Sequence, residues 1–474
     1  METLARAANR GSISTGFDID NSIKMEADNT EYLSWSNMSS YATDARKRTW
    51  SISFWCKRTE IGVQQLPWNS GGNGTLAFQA ADHLNFQQFF SDSASAAKYL
   101  NTNRLFRDPS AWYHIIIAID TTQSTEAHRM RLYVNGEEET SFASTVYPPQ
   151  NATATDIYGS YISLGRSLNW GAGFSGYIAN YYLISEVQLV PTDVGEYDED
   201  SGIWKPKAYA GAITAPSTFL EFKDSSDFKT ATSGLDATVS SNLTAADQAT
   251  DTPTNNFCTY NNNWKTATGT AATEGGTTVT TASGAGWLSI VGTFGLTSGK
   301  WYWEAASSGA YVFYGIADVE SATIPQATGG YYLGYGDDNS TKSIGMYGYN
   351  GVIYSETGGN GGGPGADANW VVQIALDMDN KCIYFGANGS YMAGADPTSG
   401  ANKTAASTWA DDWTDTVYPA LSVGATYNTT ANFGGYTADV ISSAASDANG
   451  YGTFEYAPPS GYYAICTKNL AEFG

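Results

Sequence analysis

The stretch MRLYVNGEEET at residues 130–140 has an echo at KCIYFGANGSY, residues 381–391. In each copy an alternating apolar run leads into Asn-Gly: Leu132, Tyr133, Val134, Asn135 and Gly136 in the first, and Ile383, Tyr384 and Phe385 followed by Asn388 and Gly389 in the second. Asn-Gly between alternating runs predicts a β-hairpin, because both central residues of a type I′ turn need positive φ. The echo extends upstream, where WYHIIIAID (residues 112–120) precedes the first hairpin and WVVQIALD (residues 370–377) precedes the second. Each copy reads as a buried strand feeding a hairpin, so one architecture is expected twice.

Composition points the same way. At 474 residues the chain is too long for one ordinary core, which predicts two or three domains. Glycine numbers 50, tyrosine 32 and tryptophan 14, a balance that suits short aromatic strands and tight turns better than helices. The fold class expected is therefore all-β. A formal charge of -23, from 24 basic and 47 acidic residues, repels a phosphate backbone and an anionic membrane surface alike. Nucleic acid is not an expected partner. No run approaches about 18 apolar residues, and the start METLARAANRGS lacks the apolar core of a secretory signal. Folding in a cytoplasm is expected, without membrane insertion. The cysteines Cys56, Cys258, Cys382 and Cys466 are far apart with no metal-type spacing and are expected to be buried thiols.

Along the chain, residues 1–27 carry little apolar periodicity and read as an N-terminal arm. RTWSISFWCKR alternates Trp50, Ile52, Phe54 and Cys56 on one face with Ser51, Ser53, Trp55 and Lys57 on the other, the pattern of a strand. With AWYHIIIAID, YISLGRS and FSGYIANYYLIS it predicts a first sandwich over residues 28–190. Residues 191–263 are rich in Asp, Thr, Ser and Ala, with short apolar patches such as TFLEF, and read as an extended connector folding partly against its neighbours. A second strand-rich region spans residues 264–474. GGNGGGPG, residues 358–365, lacks the Gly-Lys-Ser/Thr of a phosphate loop and reads as a hairpin loop.

These segments resemble known families. WSISFWCKR, AWYHIIIAID, MRLYVNGEE, ISLGRS and FSGYIANYYLIS stand in the order and approximate spacing of the laminin-G-like, concanavalin A-like lectin/glucanase jelly roll. SGKWYWEA, YVFYGIAD, WVVQIALDMDNKCIYFGANGSY and ANFGG resemble a SPRY domain, itself a concanavalin A-like sandwich. Together they imply two tandem concanavalin A-like jelly-roll β-sandwiches joined by the connector. GEYDEDSGIWKPKAYAG, FLEFKDSS, DTPTNNFCTYNNN and PPSGYYAICTKNL resemble a family of tailed-bacteriophage virion proteins that pair these two domains. FLEF departs from the more aromatic strand usual in that family, and the first 28 residues match no part of it. The resemblance implies a virion structural protein, a tail fibre or other exposed appendage, whose partners are other virion proteins and further copies of itself. A capsid-surface decoration protein without glycan binding and a carbohydrate-active hydrolase are the alternatives.

For a hydrolase, retaining glycosidases need two carboxylates about 5 Å apart. The one alternating acidic run, Glu196–Asp200, lies in the polar connector and reads as a solvated turn. His83, His114 and His128 assemble into no nucleophile motif, and His114, inside an apolar strand, reads as a core residue. No catalytic residue is expected. Asp377 and Asp379 in DMDN are spaced to share a strand face and could hold a hard cation such as calcium, although Asp and Asn equally favour the turn needed there. Asp337–Ser340 in GDDNS poses the same alternatives. Trp68 in QLPWNSGGNG and Trp170 in LNWGAGFSG sit among glycines, where a tryptophan could stack on a sugar; they are the candidates for contact with host surface saccharides, and each could equally plug the end of its own sandwich or a subunit interface. No cofactor beyond calcium is suggested.

Overall fold

The computed structural model describes residues 16–72, 74–266, 272–281, 286–321, 332–334, 342–355, 358–360, 370–409, 411–424 and 426–474. They form two compact units, one ending at Thr254 and the other running Asn255–Gly474. Each is a pair of sheets enclosing an apolar core, as the composition predicts.

In the first unit a nine-stranded sheet is built around Thr49–Arg58, which lies between Trp112–Asp120 and Gly176–Ser185; Met130–Val134 pairs with Trp112–Asp120 on its far side. The facing eight-stranded sheet centres on Gly74–Phe78 and Gln65–Ser70. Every strand pairing in the unit is antiparallel. Trp50, Ile52, Phe54 and Cys56 point into the core with Trp68, Leu76 and Phe86 from the opposite sheet, and the Trp50 and Trp68 rings stack at 6.0 Å.

The second unit repeats the plan. Leu288–Gly292, Val417–Val423, Val312–Asp318 and Ser343–Tyr347 lie side by side in one sheet. Asn428–Asn432, Lys300–Ser307, Val371–Asp377 and Cys382–Ala387 lie side by side in the other. Both echoed hairpins form with the expected backbone: φ is 50° at Asn135 and 85° at Gly136, 47° at Asn388 and 85° at Gly389. The strands before them, Trp112–Asp120 and Val371–Asp377, hold equivalent places, each between a long inner strand and the hairpin strand.

Two boundaries differ from the sequence expectation. Ser22–Met25, expected within the arm, is a buried strand paired with Gly176–Ser185 and with Gln248–Ala249. Thr218–Leu220 and Val239–Ser241, expected in the connector, pair with Gly176–Ser185 and Tyr32–Ser36. Most of the connector thus belongs to the first unit, where short strands gain their apolar neighbours only from distant sequence. The Lys57 ammonium meets the Asp251 carboxylate at 2.8 Å with both side chains buried, and the Trp112 indole donates to the same carboxylate at 3.1 Å. Leu189, Val194 and Phe219 pack on Ile116, Ala118, Tyr182 and Ile184. That third layer explains why WYHIIIAID is apolar on both faces: one side meets the core and the other meets the returning chain. All four cysteines are buried free thiols. No helix among the described residues is long and apolar enough to cross a membrane.

Candidate functional site

The two tryptophan candidates part company. Trp68 is a correction: it lies within the strand Gln65–Ser70 at 0% exposure, and its Nε1–H donates to the Tyr181 hydroxyl at 3.1 Å. The glycines that suggested a loop begin only at Gly71, after the strand ends, so Trp68 is core and no sugar can reach its ring. Trp170 does stand in a loop, at 51% exposure. A tight local turn presents it: Ser167 Oγ accepts from the Trp170 N–H at 3.3 Å, and Gly171 N–H donates to the Ser167 carbonyl at 3.1 Å.

The aspartates expected as cation ligands are another correction. Asp377 is fully buried, paired with Lys300 at 2.9 Å, and accepts both the backbone N–H and the side-chain amide of Asn380. Asp379 accepts the Gly299 N–H at 2.8 Å. Their oxygens close the turn after Val371–Asp377, and the lysine occupies the place a cation would need. No cluster of three or more His, Cys, Asp or Glu side chains suited to a metal occurs among the described residues. Asp337–Ser340, and residues 361–365 of the glycine-rich stretch, lie outside the described residues.

Glu196 faces Lys205 at 3.5 Å across the small hairpin of Gly195–Tyr197 and Trp204–Pro206. Asp198 accepts from the Ser201 N–H and hydroxyl, which draw its pKa down to about 2. The acidic run is therefore a turn built by its own hydrogen bonds. His114 is buried between two indoles, Trp55 stacked at 4.6 Å and Trp204 at 6.0 Å. Burial pushes its pKa down to about 3. Trp204 Nε1–H can only donate, so Nδ1 accepts at 2.9 Å and the ring proton sits on Nε2, which donates to Ser53 Oγ at 2.8 Å. Both nitrogens are committed inside the fold.

An exposed aromatic surface was not singled out in the sequence. In Val312–Asp318 the residues Val312, Tyr314 and Ile316 enter the core, so Tyr311 and Phe313 share the opposite face; in Ser343–Tyr347, Ile344 and Met346 enter the core and Tyr347 faces outward. Period-two alternation thus lays Tyr311, Phe313, Tyr347 and Tyr349 together. Phe313, buried, stacks on Tyr347 at 4.5 Å and on Tyr332 at 4.2 Å. Outward from it, Tyr311 stacks on Tyr349 at 5.8 Å and on Tyr427 at 6.2 Å. Tyr349 is 62% and Tyr311 45% exposed. Burial, together with neighbouring hydroxyls, raises the Tyr347 pKa to about 12. The face offers ring faces and hydroxyls on a rigid sheet, the combination enriched at protein interfaces and suited to stacking. The signal lay in AYVF and MYGY, whose aromatics recur two residues apart.

Residues 28–193 match the family model Laminin_G_3, of the concanavalin A-like lectin/glucanases superfamily. The match stops short of Ser22–Met25 and of the strands that the structure adds after residue 193. No curated protein matches the chain. Among solved structures, the SPRY domain of human HERC1 is similar at 15% identity over 33% of this chain and 87% of that one, with a TM-score of 0.25. The TRIM65 PSpry domain is similar at 12% identity over 37% and 88%, TM-score 0.29. The heptameric SAP-like pentraxin of Limulus polyphemus is similar at 13% identity over 35% and 77%, TM-score 0.24.

Proposed function

We propose that the protein is a non-enzymatic structural component of a tailed-phage virion, part of a tail fibre or other exposed appendage, folded in the host cytoplasm and assembled with other virion proteins and further copies of itself. The observation that carries the assembly reading is the tyrosine face of the second unit. Exposed aromatic surface of this kind loses water favourably against a partner, and its lack of charge suits a protein surface better than an ion. The likeness of the connector and C-terminal motifs to phage virion proteins supplies the particle. Acidic candidates engaged in turns and ion pairs, and a histidine with both nitrogens committed, support a binding role over hydrolysis.

Trp170 favours a second role beside assembly, attachment to host surface saccharides through stacking on its exposed indole. The test of the main reading is incorporation. A chain carrying Tyr311→Ala and Tyr349→Ala should fold normally and fail to join particles or self-associate, whereas normal incorporation would overturn it. Glycan-array signal lost on Trp170→Ala supports the second role, and an unchanged signal removes it.

A further inference from the structure

On the outer face of the second unit's other sheet, one row of paired residues runs Glu304, Gln373, Gly386, Tyr391 across four strands. Three members carry polar side chains, and the fourth has none. A side chain at Gly386 would press on Gln373 Oε1, on the Ser390 carbonyl and on the Tyr391 ring, at 3.0–3.3 Å. The glycine admits the close approach of those neighbours, and farther along the same face a cleft of about 460 Å³ opens between Tyr391, Asp396, Pro397, Tyr456 and Pro459. That volume falls in the range of about 300–1,000 Å³ usual for small-ligand sites.

The floor is fixed by hydrogen bonds. Gln373 Oε1 accepts the Gly389 N–H at 2.8 Å, so the echoed hairpin forms one wall. The Tyr302 hydroxyl donates to Glu304 at 2.8 Å, and Glu304 also accepts the backbone N–H groups of Glu455 and Tyr456, each at 2.8 Å. The buried carboxylate thereby sets the position of Tyr456, whose ring lies against Gly389. Against this satisfied network, the Tyr391 hydroxyl is buried without a hydrogen-bond partner among the described residues. At the exposed rim, Asp396 Oδ1 accepts from the N–H and hydroxyl of Thr398, and its other oxygen takes no bond from the described residues.

We propose that this cleft is a binding site for a neutral saccharide, one to a few pyranose rings long. A pyranose has an apolar CH face for the Tyr456 ring, and hydroxyls that can donate to Asp396 at the rim. Among the described residues no Lys, Arg or His lines the cleft, so an anion finds no counter-charge in its lining, and the formal charge of -23 opposes one further. The site depends on neither the virion reading nor the tyrosine face.

The test is calorimetric titration of the full chain with maltotriose, cellotriose, chitotriose and mannotriose up to about 10 mM, a concentration that detects even weak single-site binding. At least one should give a saturable single site. Tyr456→Ala and Asp396→Asn should each weaken it about tenfold. No saturable binding with any of the four, affinity equal to the parent's in both variants, or binding abolished by Trp170→Ala alone would each overturn the proposal. Particle incorporation, read separately, is indifferent to these results.

Discussion

The Trp204 indole donates its N–H to Nδ1 of His114 at 2.9 Å, joining residues 90 positions apart. Trp204 also covers Gly136 at the tip of the first echoed hairpin, as Tyr456 covers Gly389 at the second. In both units a later segment returns an aromatic ring to the same turn, and the glycine is what admits it. The motif SGIWKPK is therefore a clasp on the first sandwich.

Loss of the clasp should destabilise the first unit. Trp204→Ala removes a buried ring and leaves Nδ1 of His114 unpaired, an expected loss of about 3–5 kcal/mol. Trp204→Phe keeps most of the packing and should lose about 1–3 kcal/mol. Denaturant unfolding of the two variants against the parent checks the order.

Acid should weaken the fold through His114. Its folded pKa of about 3 lies below the ordinary value of 6.5 because burial disfavours the imidazolium. Between those values the unfolded chain binds a proton that the folded chain refuses, so stability is full above about pH 6.5 and falls as pH drops toward 3. In His114→Gln this contribution vanishes: the variant is weaker at pH 7, and its stability changes less between pH 7 and pH 4.5. Urea midpoints at the two pH values measure the difference, and equal slopes in variant and parent would contradict the assignment.

The Lys57–Asp251 pair ties residue 251 into the first unit with both side chains out of water. Asp251→Ala removes the buried carboxylate that faces the Lys57 ammonium and should cost about 3–5 kcal/mol. Truncation after residue 240 should likewise prevent the first unit from folding, whereas an independent connector would tolerate it. Limited proteolysis of the substituted and the truncated chains distinguishes the outcomes.

The two tryptophan candidates should behave oppositely. Trp68→Ala empties core space and should lose about 3–5 kcal/mol, while Trp170→Ala, at an exposed tip, should stay within about 0.5 kcal/mol of the parent. Thermal melts of the pair make the comparison.

Much of the fold was legible because it is written locally. The Asn-Gly turns, the alternation of Trp50, Ile52, Phe54 and Cys56, and the apolar strand around His114 each depend on a few adjacent residues. Ser22–Met25 and the strands after Val190 were not legible, since their partners lie far along the chain and their own apolar content is small. Trp68 misled for a related reason: neighbouring glycines signal a turn without saying on which residue it begins. The tyrosine face was hidden more deeply. Outward-facing aromatics alternate in both units, yet in the first the clasp covers His114, on which Trp55 stacks, while Tyr349 in the second reaches solvent, and the path of the returning chain is not written in the local pattern.

The measurement that bears most directly on the virion assignment is quantitative mass spectrometry of phage particles purified from cells that express the gene. The account predicts that the chain travels with the particles through a density gradient in fixed ratio to the other structural proteins, and that Tyr311→Ala with Tyr349→Ala releases it into the soluble fraction. Abundant folded protein in the lysate with none on the particles would contradict it.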